Sequence, residues 1–435
     1  MKKQRLHIIK RNEHIILYDV ENMELYIGDD SISKENLQSF KKQEEASTTS
    51  LDITDTSISM MNAADGKKRM HRVTVCVSND CNLRCKYCYA KGGNYGRNRS
   101  VMSKKTAKSF VDFCVTNFNR VDNVSFFGGE PLLNYPVIEY ICKLFKEQSL
   151  NESFTLPSFS MITNGTLCND EIINLIHNNI AFITVSIDGS KSINDKNRVF
   201  KNGSGSFERI KHFINICREN TCAKLQFEAT YTLDHINSGI SRSDVYSFLN
   251  TEFGIDGIVV DEDGLSRKMI YEDLYNLTNE DLLKSDFECL PIDFWQVTST
   301  IIKKSPHRFC GIFDDRVTIT VDGDIVGCQM FMGNDKNIIS DIYAPYAMRE
   351  IENHIHDFKN NSFCDECWCN SLCGGCVFQK FYSKSDDQLK TVPNYESCQL
   401  TRLYIEEILY IIFRIRTDKA LWPLFVQKAK VKLNS

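Results

Sequence analysis

Eight residues, Cys81-Asn82-Leu83-Arg84-Cys85-Lys86-Tyr87-Cys88, place three thiols in a CxxxCxxC spacing directly after an expected strand, His71 to Ser78. Thiolates at that density on one short loop can grip three corners of a cubane iron–sulfur cluster and leave the fourth iron without a protein ligand. A structural zinc site asks for four closed ligands, and the nearest candidates for a fourth, His71 and Cys76, sit back in the strand. The chemistry to look for is that of an iron with an open coordination position.

With Tyr87 at the aromatic position before the last cysteine, the loop resembles the CxxxCxΦC motif of the radical S-adenosylmethionine (SAM) enzymes. The resemblance implies a [4Fe–4S] cluster on Cys81, Cys85 and Cys88 whose open iron is chelated by the amino and carboxylate groups of SAM. It also implies that an electron from the cluster cleaves SAM to a 5′-deoxyadenosyl radical, which abstracts hydrogen from a substrate. An external donor such as flavodoxin or ferredoxin would then supply the electron.

Such a loop needs a scaffold to hold it. The chain has 435 residues, beyond the size at which a single core stops growing, so two or three domains are expected. Its 52 basic and 57 acidic residues leave a formal charge of −5, which offers no basic footprint for nucleic acid. The most apolar late stretch, Leu403 to Phe413, is too short to cross a bilayer and contains Glu406 and Glu407, so no membrane partner is expected. Met1 to Lys10 is basic without an apolar run or a small-residue cleavage site, which argues against a secretory signal. Eighteen cysteines in such a chain point to reduced thiols and metal ligation in a cytoplasmic setting.

From His71 to about Glu262, strands are expected at His71 to Ser78, Asn123 to Phe127, Ser158 to Thr163, Phe182 to Ile187, Lys224 to Thr232 and Gly257 to Asp261. Helical stretches separate them, at Lys104 to Asn117, Tyr135 to Lys146, Asn169 to Asn178, Ser206 to Asn220 and Ser243 to Glu252. Apolar strands alternating with amphipathic helices imply parallel βαβ units with right-handed crossovers, here an α/β fold of the partial (β/α)6, TIM-like barrel type. Sites in such barrels gather where strands end and βα loops begin. Ahead of the barrel, His7 to Lys10, Ile15 to Val20 and Glu24 to Ile27 read as short strands, and about Ser33 to Glu45 as a polar helix. That unit is too small for much of a core, so it either packs on the main body or binds a partner by strand addition.

After the second barrel strand comes Gly128-Gly129-Glu130-Pro131, in which two glycines let the backbone approach a ligand and Glu130 can accept from an ammonium group. One βα unit after the cysteine loop, it resembles the radical SAM segment that binds the SAM amino group. Polar strand ends follow at Thr163-Asn164-Gly165-Thr166 and Ser186-Ile187-Asp188-Gly189. In that family such positions line the ribose and methionine side of the cofactor, which assigns Asn164, Ser186 and Asp188 to SAM. The same residue types also make turns and caps. Arg198 resembles the family arginine that meets the SAM carboxylate, which a guanidinium fork suits. Glu228 and Tyr231, on the fifth barrel strand, are candidates for the lumen.

A second set of thiols fills the C-terminal third: Cys310, Cys328, Cys364, Cys367, Cys373, Cys376 and Cys398. Paired CxxC spacings also occur in zinc ribbons. Seven ordered thiols behind this barrel resemble instead the SPASM extension, which holds two auxiliary [4Fe–4S] clusters in radical enzymes acting on peptides and proteins, so three clusters are expected in all. By that resemblance Cys364, Cys367, Cys373 and Cys398 close one cluster, and Cys310, Cys328 and Cys376 hold the other. The chain departs from the pattern at Cys373-Gly374-Gly375-Cys376, one residue shorter than the usual CxxxC, and carries Cys369 as an additional thiol. It also lacks the fourth ligand that sulfatase-maturing relatives supply soon after the first cysteine. The second auxiliary cluster therefore either keeps an open iron or borrows Cys369, and an open iron would suit a substrate thiolate.

Sulfatase maturases place an acidic base immediately after the second SPASM cysteine, where this chain has Gln329, which cannot accept the proton. Gly323 to Phe331 and Cys364-Asp365-Glu366-Cys367-Trp368 look closer to maturases of cysteine-rich ribosomal peptides. The reading is a radical SAM/SPASM peptide maturase that forms Cys-sulfur-to-carbon thioethers in a Cys-containing precursor peptide. The alternatives are carbon–carbon linkage, epimerisation or sulfatase-type oxidation; a non-enzymatic metal store would have no use for the Gly-Gly-Glu-Pro segment. The organisation expected is residues 1–45 as an N-terminal module for leader-peptide recognition, 46–68 as linker, 69–300 as barrel, 301–400 as SPASM domain and 401–435 as a C-terminal helix. Cys76, Cys114, Cys142, Cys168, Cys217, Cys222 and Cys289 are left as apolar fillers, and Leu421, Trp422, Leu424 and Phe425 form an apolar patch without an assigned purpose.

Overall fold

The computed structural model describes residues 6–11, 14–28, 68–150, 154–262, 287, 290, 292–304, 312, 315–359, 362–373, 376–383, 388–390 and 392–434. The expected helix from Ser33 to Glu45, the linker as far as residue 67, Cys289 and Cys310 lie outside them.

Three antiparallel strands come first, β1 (Leu6–Arg11), β2 (His14–Asp19) and β3 (Glu24–Gly28), paired in that order. Six parallel strands follow, β4 (Lys68–Ser78), β5 (Phe118–Gly128), β6 (Ser158–Thr163), β7 (Phe182–Ser186), β8 (Lys224–Tyr231) and β9 (Gly257–Asp261), neighbours in sequence being neighbours in the sheet. Helices Lys104–Asn117, Tyr135–Leu150, Asp170–Asn179, Phe207–Asn220 and Arg242–Phe253 make the crossovers. Side chains alternate along each strand. Val73 and Val75, Val124 and Phe126, Phe159 and Met161, Ile183 and Val185, and Phe227 and Ala229 are buried in the barrel core. The residues between them are polar and bond strand to strand across the opposite face, Ser160 Oγ to Asn123 Oδ1 at 2.9 Å and Gln226 Nε2 to Thr184 Oγ1 at 2.7 Å. The interior of this barrel is therefore a hydrogen-bonding surface.

β4 and β5 run further back than the apolar pattern indicated. Their early halves are held by charge: Arg69 reaches Asp122 through Nε at 3.0 Å and Nη2 at 2.8 Å, and Arg120 joins the same carboxylate at 2.7 Å. The sheet also continues past the first barrel strand. β10 (Arg316–Ile319) pairs in parallel with β4 from Arg316 opposite Arg72 to Ile319 opposite Val75, and β11 (Asp324–Val326) and β12 (Ser340–Asp341) add antiparallel. Val317, Ile319, Val321 and Ile325 share the barrel core, so the division drawn at 300/301 is not a break in the sheet.

A second core joins the two ends of the chain. β1 to β3, helix Ile292–Lys303, the cysteine-rich turn around Trp368 and helices Tyr395–Thr417 and Leu421–Asn434 pack together. His7 stacks on Trp368 with ring centroids 3.6 Å apart and bonds Glu406 at 2.7 Å; Tyr18 Oη meets Ser371 Oγ at 3.2 Å; Arg11 pairs with the buried Glu407. Of the two fates open to the N-terminal unit, packing on the main body is realised. The unassigned apolar patch also finds its place, since Phe425 stacks on Trp295 and meets Phe287 and Phe294 edge-on. Helix Tyr395–Thr417 starts ahead of the expected Thr401 because Asn394 caps it, accepting from Ser397 N at 2.9 Å, and that extra turn carries Cys398. Trp368→Ala is expected to destabilise the fold by about 3–5 kcal/mol and to free the N-terminal strands for proteolysis, measured by urea unfolding and by cleavage within residues 6–28.

Among the described residues no helix is long and apolar enough to cross a membrane. Cys76, Cys114, Cys142 and Cys217 are buried as fillers should be, whereas Cys168 is half-buried and Cys222 exposed.

Candidate active site

The cysteine loop leaves the C-terminal end of β4 and is closed by its own backbone. Cys88 N donates to Cys85 O at 3.2 Å, and Arg84 Nη1 gathers the carbonyls of Cys81, at 2.6 Å, and Gly92, at 3.4 Å. Leu83 N and Asn164 Nδ2 point at Cys81 Sγ, 3.4 and 3.6 Å away, and Gly92 N points at Cys88 Sγ, 3.4 Å away. N–H groups aimed at thiolate sulfur are the donors that surround iron–sulfur clusters. Burial pushes the Cys81 thiol up to about 12, the Glu130 charge adding to it, so metal loading must displace the proton. His71 is half-exposed and lies 3.5 Å from Asp122, and Cys76 is buried with its S–H on Ser78 O. Neither joins the loop, and among the described residues no His, Cys, Asp or Glu completes a closed single-ion site. Three thiols on one loop, with N–H donors aimed at Cys81 and Cys88 and no fourth ligating side chain among the described residues, fit the ligand set of a [4Fe–4S] cluster with one iron open.

Gly128 and Gly129 serve the loop itself. A Cβ on Gly129 would lie 2.3 Å from Asp80 O and 2.7 Å from Gly93 Cα, so two backbones touch at a point where only glycine fits. Glu130 is fully buried and accepts from Leu132 N at 3.0 Å, Thr163 Oγ1 at 2.7 Å and Asn164 N at 2.7 Å. A carboxylate has about four acceptor sites, which leaves room for one more donor, such as an ammonium. Burial nevertheless raises its pKa. Asn164 is more heavily committed than the sequence indicated: its amide donates to Asn82 Oδ1 at 2.9 Å and accepts from Thr166 Oγ1 at 2.6 Å, tying the cysteine loop to the end of β6.

Arg198 reaches the loop through backbone pairing, Arg84 N to Val199 O at 2.6 Å and Lys86 N to Asn197 O at 3.0 Å. Arg198 is 7% exposed; its guanidinium donates to Tyr87 Oη and lies 3.6 Å from Asp188 Oδ1, while its Nε has no hydrogen-bond partner among the described residues. Tyr87 Oη donates to Asp188 Oδ2 at 2.7 Å, and Thr230 N to Asp188 Oδ1 at 3.1 Å. Burial raises the Tyr87 phenol far above its ordinary range. Tyr87, Asp188 and Arg198 thus form one buried ionic network beside Cys85. Sequence reasoning missed His235, which fixes Asp188 from behind. Its Nδ1 accepts Thr232 N at 3.1 Å, so Nε2 carries the ring proton and donates to Asp188 O at 2.8 Å. The Thr232 to His235 capping-box spacing is the one signal that marks it.

Ser186 is half-buried opposite Glu228 in the β7–β8 register. Glu228 and Tyr231 cannot both face the lumen, being three apart on a strand of period two. Tyr231 is buried on the helix side, bonds Ile240 O at 2.8 Å and stacks on His235; Glu228 keeps the inner face.

The second thiol set lies in two places. Cys328, at the end of β11, precedes a short turn whose Gly333 packs on Tyr95 of the first cysteine loop; a Cβ there would lie 2.1 Å from Tyr95 O. Cys364, Cys367, Cys373 and Cys398 lie close enough to act on one another: burial raises Cys364 and Cys398, and the other thiols of the group raise them further. Lys380 donates to Cys373 Sγ and Arg402 Nε to Cys367 Sγ at 3.4 Å, two cations that sequence spacing did not single out. Cys369 Sγ is 3.5 Å from Cys367 Sγ, and Cys376 caps helix Val377–Phe381.

Residues 75–233 match the radical SAM superfamily. This chain carries a radical SAM domain. The radical SAM cyclopropyl synthase TigE of Paramaledivibacter caminithermalis is 24% identical over 362 residues, 74% of this chain and 71% of that protein. The cysteine-type anaerobic sulfatase-maturating enzyme of Clostridium perfringens is 24% identical over 357 residues, 76% and 94% of the two chains. An uncharacterized protein of Methanocaldococcus jannaschii is 36% identical over 137 residues, 32% of this chain and 45%, less than half, of that one. A solved structure of anSMEcpe with bound AdoMet and a Cp18Cys peptide superimposes with a TM-score of 0.62 at 20% identity, covering 80% of this enzyme and 99% of that chain, so the two share a fold.

Proposed function

We propose that this radical SAM enzyme is a maturase that forms thioether bonds between cysteine sulfur and carbon in a ribosomally made precursor peptide. Cys81, Cys85 and Cys88 would hold the SAM-binding cluster, with Glu130 toward the SAM ammonium and Tyr87, Ser186, Asp188 and Arg198 along the rest of the cofactor. The second thiol set would hold two auxiliary clusters. When bound, these groups supply an electron, a 5′-deoxyadenosyl radical and a place for the surplus electron. The chain's own part is positioning: the Arg198 charge is held by Asp188 and Tyr87 before any ligand arrives, and the polar inner face offers hydrogen bonds to an extended peptide.

The observation that carries the reading is the approach of Cys328, one member of the second thiol set, to the first cysteine loop, where Gly333 behind it closes on Tyr95. Tyr89 meets Tyr95 edge-on with ring centroids 6.1 Å apart, so the first cysteine loop and the turn after Cys328 border one region. A substrate held there lies between the two chemistries a thioether requires, one that removes hydrogen from carbon and one that handles sulfur. Sulfatase-type oxidation is the second reading, favoured by the 94% coverage of that relative; Gln329 after Cys328 counts against it. Incubation of reconstituted enzyme with dithionite, SAM and a panel of synthetic cysteine-containing peptides is expected to give a product lighter by two hydrogens. Deoxyadenosine formation with every peptide mass unchanged contradicts the proposal.

A further inference from the structure

A thiol that is to bond to carbon must give up its proton, and the position where sulfatase maturases keep an acid for such work holds Gln329. The acidic side chains around the interior divide sharply. Glu130 has three donors, Asp188 has Tyr87, Thr230 and Arg198, Asp122 has Arg69 and Arg120, and Asp261 has Arg242. Glu228 differs: among the described residues its side chain has no hydrogen-bond or ion-pair partner. It stands on the inner face of β8, one inward step below Thr230, whose N–H meets Asp188, and opposite Ser186. Ser186 is the last residue of β7, so Glu228 stands level with the end of that strand. The charges that act on it are those of Arg198 and Asp188. A carboxylate on the inner face beside Ser186, with no partner among the described residues, is placed to meet a group brought by a substrate.

We propose that Glu228 is the general base that takes the proton of the substrate cysteine thiol. This rests on the thioether-maturase reading. The S–H bond breaks, the electron pair stays on sulfur and the proton goes to a carboxylate oxygen, so one proton and no electrons are moved; water takes the proton after product leaves. An ordinary carboxylate is a weak base toward a thiol of pKa about 8.5. Burial raises Glu228, against the pull of Arg198 and with the push of Asp188, and so narrows the gap.

Glu228→Gln keeps the shape and removes the base. In the reconstituted enzyme with dithionite, SAM and a peptide that the wild type modifies, cross-linked product is expected to fall about a hundredfold or more. Deoxyadenosine formation, cluster absorbance and the peptide Kd by fluorescence anisotropy should stay within about threefold, and Glu228→Asp should recover part of the rate. In the wild type, product formation should rise with pH through a limb above the ordinary glutamate range, and Glu228→Gln should abolish that limb. Product within about threefold of wild type, or a parallel loss of deoxyadenosine that marks a role in holding SAM, overturns the assignment of Glu228 alone. A wild type that cleaves SAM and alters none of the peptides overturns the maturase reading, and this role with it.

Discussion

Replacing Cys85 with alanine is expected to lower deoxyadenosine production from SAM at least about a thousandfold, to background, because the reaction belongs to the cofactor and the loop retains only two of its three thiols. The protein is expected to remain folded. Cys85 lies in a loop closed by Arg84, by the Cys88 to Cys85 backbone bond and by the Asn82–Asn164–Thr166 bonds, none of which uses its sulfur. Cys114 is the control: it is fully buried in the barrel core, and Cys114→Ala should cost only the stability of a small filled volume while SAM cleavage persists. Loss of deoxyadenosine in both variants, or in neither, would contradict the division between ligating and filling cysteines.

Asp188→Ala is expected to cost as much stability as Trp368→Ala. It strips a buried guanidinium of its counter-charge and leaves Tyr87 Oη and Thr230 N without their acceptor. Removing one member of a buried pair costs about 3–5 kcal/mol, and urea unfolding of the apoprotein should show it. Removing Arg198 as well should cost less than the sum, since the stranded charge goes too. Asp112→Ala, which breaks an exposed i,i+4 pair with Lys108, should leave the unfolding curve unchanged. Equal losses for Asp188→Ala and Asp112→Ala would show that the Asp188 network is not the anchor described.

The barrel was legible because its signals are local. The positions of strands and helices follow from periods of two and 3.6 residues, whereas the early halves of β4 and β5, held by charge between Arg69, Arg120 and Asp122, do not. The same period of two already forbade Glu228 and Tyr231 from sharing a face. Other features depend on contacts between distant segments. Arg198 is delivered by pairing of residues 197–199 with the cysteine loop, which no periodicity encodes. The addition of β10 beside β4 joins residues more than two hundred positions apart, and β10 has only four residues, too few for pattern alone to set its partner. The stack of His7 on Trp368 unites the two ends of the chain through a single aromatic pair. Asn164 and Glu130 are already bonded within the fold in ways spacing does not encode, Asn164 to Asn82 of the cysteine loop and Glu130 to Leu132 N, Thr163 Oγ1 and Asn164 N.

Thioether formation is the claim on which the account turns, and counting free thiols tests it most directly. Peptide recovered from the complete reaction and alkylated with iodoacetamide is expected to carry one fewer alkylated cysteine for each pair of hydrogens lost. A product that has lost two hydrogens yet still alkylates at every cysteine would contradict the account and leave carbon–carbon linkage in its place.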